Sequence, residues 1–300
     1  MYVNVLLSKM KIWTNLNSRI VMAFAIVLSN LIYSAAAADM DFPITPEQQQ
    51  EHNDSLLAII GAALHIESLT GENRIEMQAS AFKINPANTS QTIVAFAYDH
   101  PDSGGSEDGD SSVLIIALVD NVKKRLVAHY RGFLIQDAGL YIDKNSLRID
   151  TAPYLLADGV RAFGVDLTSG YIPHCDEGRI GAQRTLYVRK GSKLQPVLKD
   201  LIVDYSYLVR CGYGWCSVGE PDTTIVDHYK FAIVIGDTVT NGMRDLFIIV
   251  TGVRNTSTID DIDGVNTPIE KTFRFKLTFD GKEYRGTRAL LRAFWKHFGI

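Results

Sequence analysis

The segment Phe273-Arg274-Phe275-Lys276-Leu277-Thr278-Phe279 alternates apolar and polar residues without a break and is followed by Asp280-Gly281. Alternation with a period of two is typical of a β-strand with one buried face. An Asp-Gly pair after such a strand favours a type I′ hairpin turn. We therefore predict a hairpin here, with another layer of the protein covering its apolar face.

The same β signature extends over most of the chain after residue 75. Val113–Val119 is apolar throughout, which indicates a strand buried on both faces. Short runs of β-favouring residues also flank Lys190-Gly191-Ser192 and Asn241-Gly242. About nine or ten strands without interleaved helices predict a mainly β protein. An antiparallel β-sandwich is the preferred architecture and a small β-propeller the alternative.

Two helices are predicted at the ends of this β-rich region. Thr45-Pro46-Glu47-Gln48 has the residues of a capping box with proline in the first turn, and a helical apolar period follows up to Gly71. Leu290, Leu291, Phe294 and Phe298 form one apolar face of a short helix that begins near Thr287. We predict a helical segment over residues 39–72 and one β-rich domain over residues 73–300.

Residues 1–38 have the features of a secretory signal peptide. A basic region ends at Arg19, an apolar run extends from Ile20 to Tyr33, and Ala35–Ala38 supplies small residues for cleavage near Ala38. The apolar run is shorter than the roughly 20 residues of a membrane-spanning helix. We expect a periplasmic or secreted protein that is not an integral membrane protein after cleavage, with an uncleaved N-terminal anchor as the alternative.

Composition excludes several functional classes. The 300 residues are 46% hydrophobic and 21% charged, with a formal net charge of −4. These values exclude a disordered chain, a coiled coil and a multi-pass membrane protein. The acidic balance argues against a nucleic-acid partner.

Three segments resemble parts of uncharacterised secreted or periplasmic bacterial β-rich proteins. They are Leu147–Tyr154, Gly159–Val165 and Phe279–Tyr284, within a region from residue 113 to 285. The resemblance implies export and a β-rich fold. It implies no activity and no catalytic residue.

The three cysteines allow one disulfide. Thiols tend to oxidise outside the cytoplasm, so Cys175, Cys211 and Cys216 are disulfide candidates. A bridge from Cys175 to one of the other two is preferred, and a Cys211–Cys216 loop remains open. The Cys spacing and the absence of a following His pair argue against zinc.

Calcium is the only cofactor candidate. If Ile259 is taken as the first position of a calcium loop, Asp261, Asp263 and Glu270 occupy ligand positions 3, 5 and 12. Ile259 cannot coordinate, so a true EF-hand is not expected. The acidic loop over residues 99–110 is a second possibility without the required spacing.

Two surfaces are candidates for binding a partner. Tyr205, Tyr207, Tyr213 and Trp215 cluster in sequence and could form an aromatic binding surface, although some could instead pack inward. On the C-terminal helix, Arg288, Arg292 and Lys296 recur at every fourth position and form a basic stripe.

No catalytic spacing is present. The chain lacks the Gly-x-Ser-x-Gly and His-Glu-x-x-His patterns. His100, His129, His174 and His228 lie in separate segments, where a fold could bring any of them to an acid or to Cys175. We therefore expect a non-enzymatic exported protein that binds an envelope protein or another envelope component. The alternatives are a periplasmic hydrolase with a site assembled from distant residues and a calcium-stabilised structural module.

Overall fold

Twelve β-strands and two α-helices make up the part of the chain that the computed structural model describes, residues 45–66, 69, 75–99, 111–136, 141–169, 178–212, 223–258 and 260–300. The predicted signal peptide lies outside these residues. The chain divides into two compact units, Met1–Glu51 and His52–Ile300. Only Thr45–Glu51 of the first unit is described, and the account below concerns the second unit unless stated otherwise.

The elements follow one another along the chain. They are α1 (Pro46–Leu64), β1 (Met77–Ile84), β2 (Gln91–Asp99), β3 (Ser111–Asp120), β4 (Arg125–Ile135), β5 (Leu147–Ala157), β6 (Val160–Leu167), β7 (Gly178–Lys190), β8 (Lys193–Arg210), β9 (Thr223–Thr240), β10 (Met243–Thr258), β11 (Val265–Phe279), β12 (Tyr284–Arg285) and α2 (Thr287–Phe298).

All twelve strands belong to one mixed sheet. Consecutive strands pair antiparallel in two meanders, β1 to β4 and β5 to β12. A single parallel bridge, His129 with Lys193, joins β4 to β8. The prediction of a mainly β protein with an N-terminal and a C-terminal helix is confirmed. The sandwich is not confirmed, because the sheet is continuous and branches at β8, and the described strands form no separate propeller blades either.

Helix α1 begins with the predicted capping box. The Thr45 backbone N–H donates to Gln48 Oε1 at 2.9 Å, and the Gln48 N–H donates to Thr45 Oγ1 at 3.3 Å. These two bonds satisfy backbone donors that have no partner inside the helix. Farther along, Leu57 and Ile60 are buried against Phe96 and other residues of β2 and β3.

Strand β3 is buried on both faces, as its uninterrupted apolar sequence predicts. Val113 and Ile115 pack in the cluster that α1 covers. Leu114 and Ile116 point to the other side and pack against residues of β5 and β6. An apolar strand without alternation therefore lies between two layers.

Strand β5 contributes buried residues to two apolar clusters. Leu147 and Ile149 belong to the cluster shared with β1 to β4. Tyr154 and Leu156 belong to the cluster formed by β7 to β11 and α2. The layer of β5 to β7 thus lies between the two clusters and buries one of its faces in each.

The connection after Phe279 differs from the predicted turn. The hairpin partner is the short strand β12, joined by four residues, Asp280 to Glu283. Gly281 has φ of +101°, but Asp280 does not adopt positive φ as a type I′ turn requires. Instead, Asp280 Oδ1 accepts the backbone N–H groups of Lys282 and Glu283, each at 2.8 Å. Hydrogen bonds to the Asp280 side chain therefore stabilise this turn, and a type I′ backbone conformation does not.

Candidate functional site

Helix α2 has one buried face and one basic face. Leu290 and Phe294 are buried in the cluster beneath the helix. Arg288, Arg292 and Lys296 are all exposed, and none forms an ion pair with any residue that the structure describes. The basic stripe predicted from the sequence therefore lies on the surface.

Two of the three cations of the basic stripe do not stabilise their own helix. Arg288 lies in the first turn, where the helix dipole disfavours a cation, and the N-cap residue Gly286 offers no side-chain cap. Lys296 lies in the last turn, where the dipole favours a cation. Like charges at four-residue spacing destabilise a helix by about 0.2–0.5 kcal/mol per pair. Helix stability thus accounts for Lys296 but not for Arg288 and Arg292.

Trp295 extends this basic face with an aromatic ring. It lies seven residues after Arg288, two helical turns along the same side, and is 37% exposed. Burial raises the pKa of the Tyr205 hydroxyl on β8, and the neighbouring Trp295 side chain partly offsets this rise. The partly exposed ring therefore lies beside both the basic stripe and Tyr205.

The two described tyrosines of the predicted aromatic surface are buried or half-buried and do not form an exposed surface. Tyr205 is only 7% exposed and packs edge-on against Phe294, with ring centroids 5.7 Å apart. Tyr207 is half-buried on the same core. Tyr213 and Trp215 lie outside the described residues. Tyr205 thus packs under α2 and Tyr207 packs on the same cluster, which is the inward packing given above as the alternative.

Of the three cysteines that are disulfide candidates, one is described. Cys211 is half-buried just after β8, whereas Cys175 and Cys216 lie outside the described residues, so the disulfide pairing stays a prediction.

The calcium candidates do not converge in the part of the chain that can be described. Asp261 Oδ1 accepts the backbone N–H of Gly264 at 3.1 Å and so closes the turn before β11. The described ranges hold no group of three or more His, Cys, Asp or Glu side chains that could bind a metal ion. Asp263 and Glu270 therefore have no assembled site with Asp261, and calcium binding stays an untested prediction. Of the acidic loop over residues 99–110, only Asp99 at the end of β2 is described, so this second calcium candidate also stays a prediction.

The opposite face of β7, β8 and β9 carries a polar cavity that the sequence analysis did not find. Its volume is about 320 Å³, and all but one of its lining residues have polar or charged side chains. The lining residues are Thr168, Arg179, Gly181, Asp204, Ser206, His228 and Lys230. Because side chains alternate along a strand, Ser206 points into this cavity while Tyr205 points toward α2.

Ser206 and His228 meet in this cavity. They are direct cross-strand partners on β8 and β9, and Ser206 Oγ lies 2.8 Å from His228 Nδ1. A serine paired with an imidazole is the first part of a hydrolytic triad. However, no carboxylate among the described residues hydrogen-bonds to the His228 ring. Ser206 and His228 also pair with each other in the sheet ladder, and no oxyanion-binding group is identified beside them among the described residues. Of the other candidate histidines, His129 lies at the β4–β8 bridge, and His100 and His174 lie outside the described residues.

A second polar cluster is buried between β5, β6 and β7. Arg184 contacts Asp166 through Nε and Oδ1 at 2.6 Å, and it also pairs with Asp150. The Tyr154 hydroxyl donates to Asp150 Oδ2 at 2.6 Å. Burial, and the bond to Asp150, raise the pKa of Tyr154 above its ordinary value. Tyr154 therefore stays protonated, and every charge has a partner, so the cluster is structural.

Comparisons with known proteins found no matching family model, no matching curated protein and no matching solved structure. The resemblance to exported bacterial β-rich proteins therefore rests on the three sequence segments alone. Among the described residues, no helix is both long enough and apolar enough to span a membrane.

Proposed function

We propose that the protein is an exported, non-enzymatic binding protein that recognises an acidic surface of an envelope protein through the basic face of α2. The observation that carries the proposal is the exposed stripe of Arg288, Arg292 and Lys296 without ion pairs to the described residues. Complementary charge steers association and fixes the orientation of the partner. An acidic partner surface would also relieve the repulsion within the stripe.

The placement of α2 favours a protein over a lipid surface. A helix that lies in a membrane interface buries its apolar face among the lipids. Leu290 and Phe294 of α2 are instead buried in the protein core, so they cannot insert. Three surface cations alone supply about 1 kcal/mol each toward an anionic membrane.

The presence of Trp295 beside two arginines is typical of a protein–protein interface. Trp and Arg are the residues most enriched at the energetic centres of protein–protein interfaces. The Trp295 side chain is 37% exposed, so a partner can contact its ring.

The test is photocrosslinking of the full chain in a native envelope extract, with the crosslinker at Ala289 beside the stripe. We expect one dominant captured protein, crosslinked at an acidic segment. The triple variant R288Q/R292Q/K296Q should reduce capture about tenfold, and added salt should do the same. The matched control K123Q/K124Q/K190Q also removes three exposed cations and should capture like the wild type.

Equal capture by the stripe variant and the control would overturn the proposal. Binding to anionic phospholipid vesicles, lost in the stripe variant, would overturn it in favour of a lipid partner.

The hydrolase alternative has one supporting observation, the Ser206–His228 hydrogen bond. In that case Ser206 Oγ would attack an ester carbonyl while His228 Nδ1 accepts the proton, and water would later release the acyl group. Turnover of a simple ester that is abolished by S206A and by H228A would promote this alternative. Absence of ester turnover by the folded wild type would contradict the hydrolase alternative.

A further inference from the structure

The polar cavity on β7, β8 and β9 lies away from the proposed docking helix. Strands β8 and β9 separate the two regions, since Tyr205 and Tyr229 point toward α2 while Ser206 and His228 point into the cavity. An inference about the cavity therefore does not depend on the proposed function. Its 320 Å³ are at the lower end of the range for small-molecule sites.

Arg179 is the unusual residue of this cavity. Four arginines in the described ranges are half-buried, and the other three each have an oxygen partner: Arg161 donates to Thr151 O, Arg184 binds Asp166, and Arg244 faces Asp158. The guanidinium of Arg179 forms no hydrogen bond and no ion pair with any residue in the described ranges. A guanidinium taken partly out of water without an acceptor is costly, so a ligand that supplies one gains that energy.

The charge balance of the cavity is positive. Lys230 pairs with Asp204, its cross-strand partner, and this pair leaves Arg179 as an excess cation. The imidazole of His228 and the hydroxyls of Ser206 and Thr168 are further possible hydrogen-bond donors. Among the described lining residues, cationic and neutral donors thus surround one space, and the single carboxylate already has a partner.

The backbone of β7 is shaped to allow this arrangement. The register of its pairing with β8 shifts twice, between Ile180 and Ala182 and between Ala182 and Gln183. Such bulges redirect neighbouring side chains. A Cβ at Gly181 would lie 2.9 Å from Asp204 Cγ. The glycine therefore leaves the room in which the Asp204 side chain reaches Lys230.

We infer that this cavity binds a small ligand through a phosphate or carboxylate group. The planar guanidinium of Arg179 can donate two parallel bonds to either oxyanion. Lys230 contributes a second positive charge, and the Ser206 hydroxyl and the His228 ring are placed beside it.

The test is isothermal titration of the full chain with inorganic phosphate and, separately, with malonate. The tighter of the two identifies the oxyanion class. R179Q should weaken binding about tenfold, because it removes the charge and the two-bond geometry. D204N should strengthen binding several-fold, because it removes the carboxylate that the described lining residues contribute and frees Lys230. K190Q, an exposed cation elsewhere on β7, is the control and should bind like the wild type.

Opposite effects of R179Q and D204N support the inference. It is overturned if the folded wild type binds neither anion, or if R179Q binds as tightly as K190Q. Circular dichroism of each variant checks the fold. If R179Q does not fold, R179K and D204N carry the test, and R179K should bind more weakly because an ammonium lacks the guanidinium fork.

Discussion

Asp166 shows at the scale of one residue how the protein holds buried charge. Its side chain is 1% exposed and accepts bonds from Arg184 Nε and Nη2 at 2.6 and 2.9 Å. Arg148 adds a bond at 2.7 Å. A Cβ at Gly164 would lie 3.1 Å from Arg184 Cδ and 3.2 Å from Asp150 Cβ, so the glycine gives the network its space.

We predict that D166N lowers the free energy of unfolding by about 3 kcal/mol at pH 7. The amide cannot neutralise Arg184, whose side chain is 12% exposed, and leaves it with Asp150 as its remaining ionic partner. Arg148 loses its ion pair with Asp166 as well, and breaking a buried ion pair is strongly destabilising. Urea denaturation followed by circular dichroism measures the change. The control is D158N, because Asp158 is fully exposed and lies 3.6 Å from Arg244, and it should change stability by under about 0.5 kcal/mol.

The same residue contributes to the response to acid. Burial alone would raise the pKa of Asp166, but the hydrogen bonds and charges of Arg184 and Arg148 outweigh it and hold the pKa below its usual range. A depressed folded-state pKa adds stability above the unfolded value of about 3.9, and this stability is lost as the pH falls through the folded-state value. Stability of D166N should therefore fall less between pH 5 and pH 3 than that of the wild type. A slope equal to that of D158N would contradict this account.

Helix α2 divides its two roles between its two faces. Phe294 is fully buried and its ring contacts those of Tyr229 and Phe231, each with centroids 5.0 Å apart. Arg292 lies on the exposed face. Packing thus holds the helix, and the charges remain available for a partner.

For this element we predict that F294A lowers the free energy of unfolding by about 3–5 kcal/mol, since it removes a large buried ring and leaves a cavity. R292Q should leave stability unchanged or raise it by about 0.5 kcal/mol, because it relieves repulsion from Arg288 and Lys296. Thermal unfolding of the two variants beside the wild type makes the measurement. A loss of stability in R292Q similar to that in F294A would show that the stripe is structural.

At the scale of the whole unit, the layer of β5 to β7 connects two apolar clusters. Ile149 and Val165 pack with β1 to β4. Leu156 and Ala162 pack with β8 to β10. Because the same strands complete both clusters, neither cluster can lose its packing without exposing the other.

We therefore predict that I116A, a substitution of a fully buried residue near β5, lowers the unfolding midpoint reported by Trp295 at the far cluster. With Trp13 and Trp215 replaced by Phe, the fluorescence of Trp295 reports on α2, and circular dichroism reports on the sheet. The two transitions should coincide in the wild type and in I116A, as in one cooperative unit. An unchanged Trp295 midpoint in I116A would mean that the clusters unfold independently.

Features that depend on neighbouring residues were predictable from the sequence. The capping box at Thr45, the doubly buried strand at Val113–Val119 and the two faces of α2 all follow from local periodicity and spacing. The turn after Phe279 was the exception, because hydrogen bonds from Asp280 satisfied the loop in a different way from the expected backbone turn.

Local patterns determine which segments are strands or helices and which of their faces are apolar, because these depend on residues two to four positions apart. Only the tertiary structure decided that the strands join into one branched sheet, since the bridge of β4 to β8 pairs residues 64 positions apart. It also decided which distant polar residues meet. Ser206 with His228 and Asp166 with Arg184 are separated by 22 and 18 residues, and strand register, which no local pattern encodes, places each pair side by side.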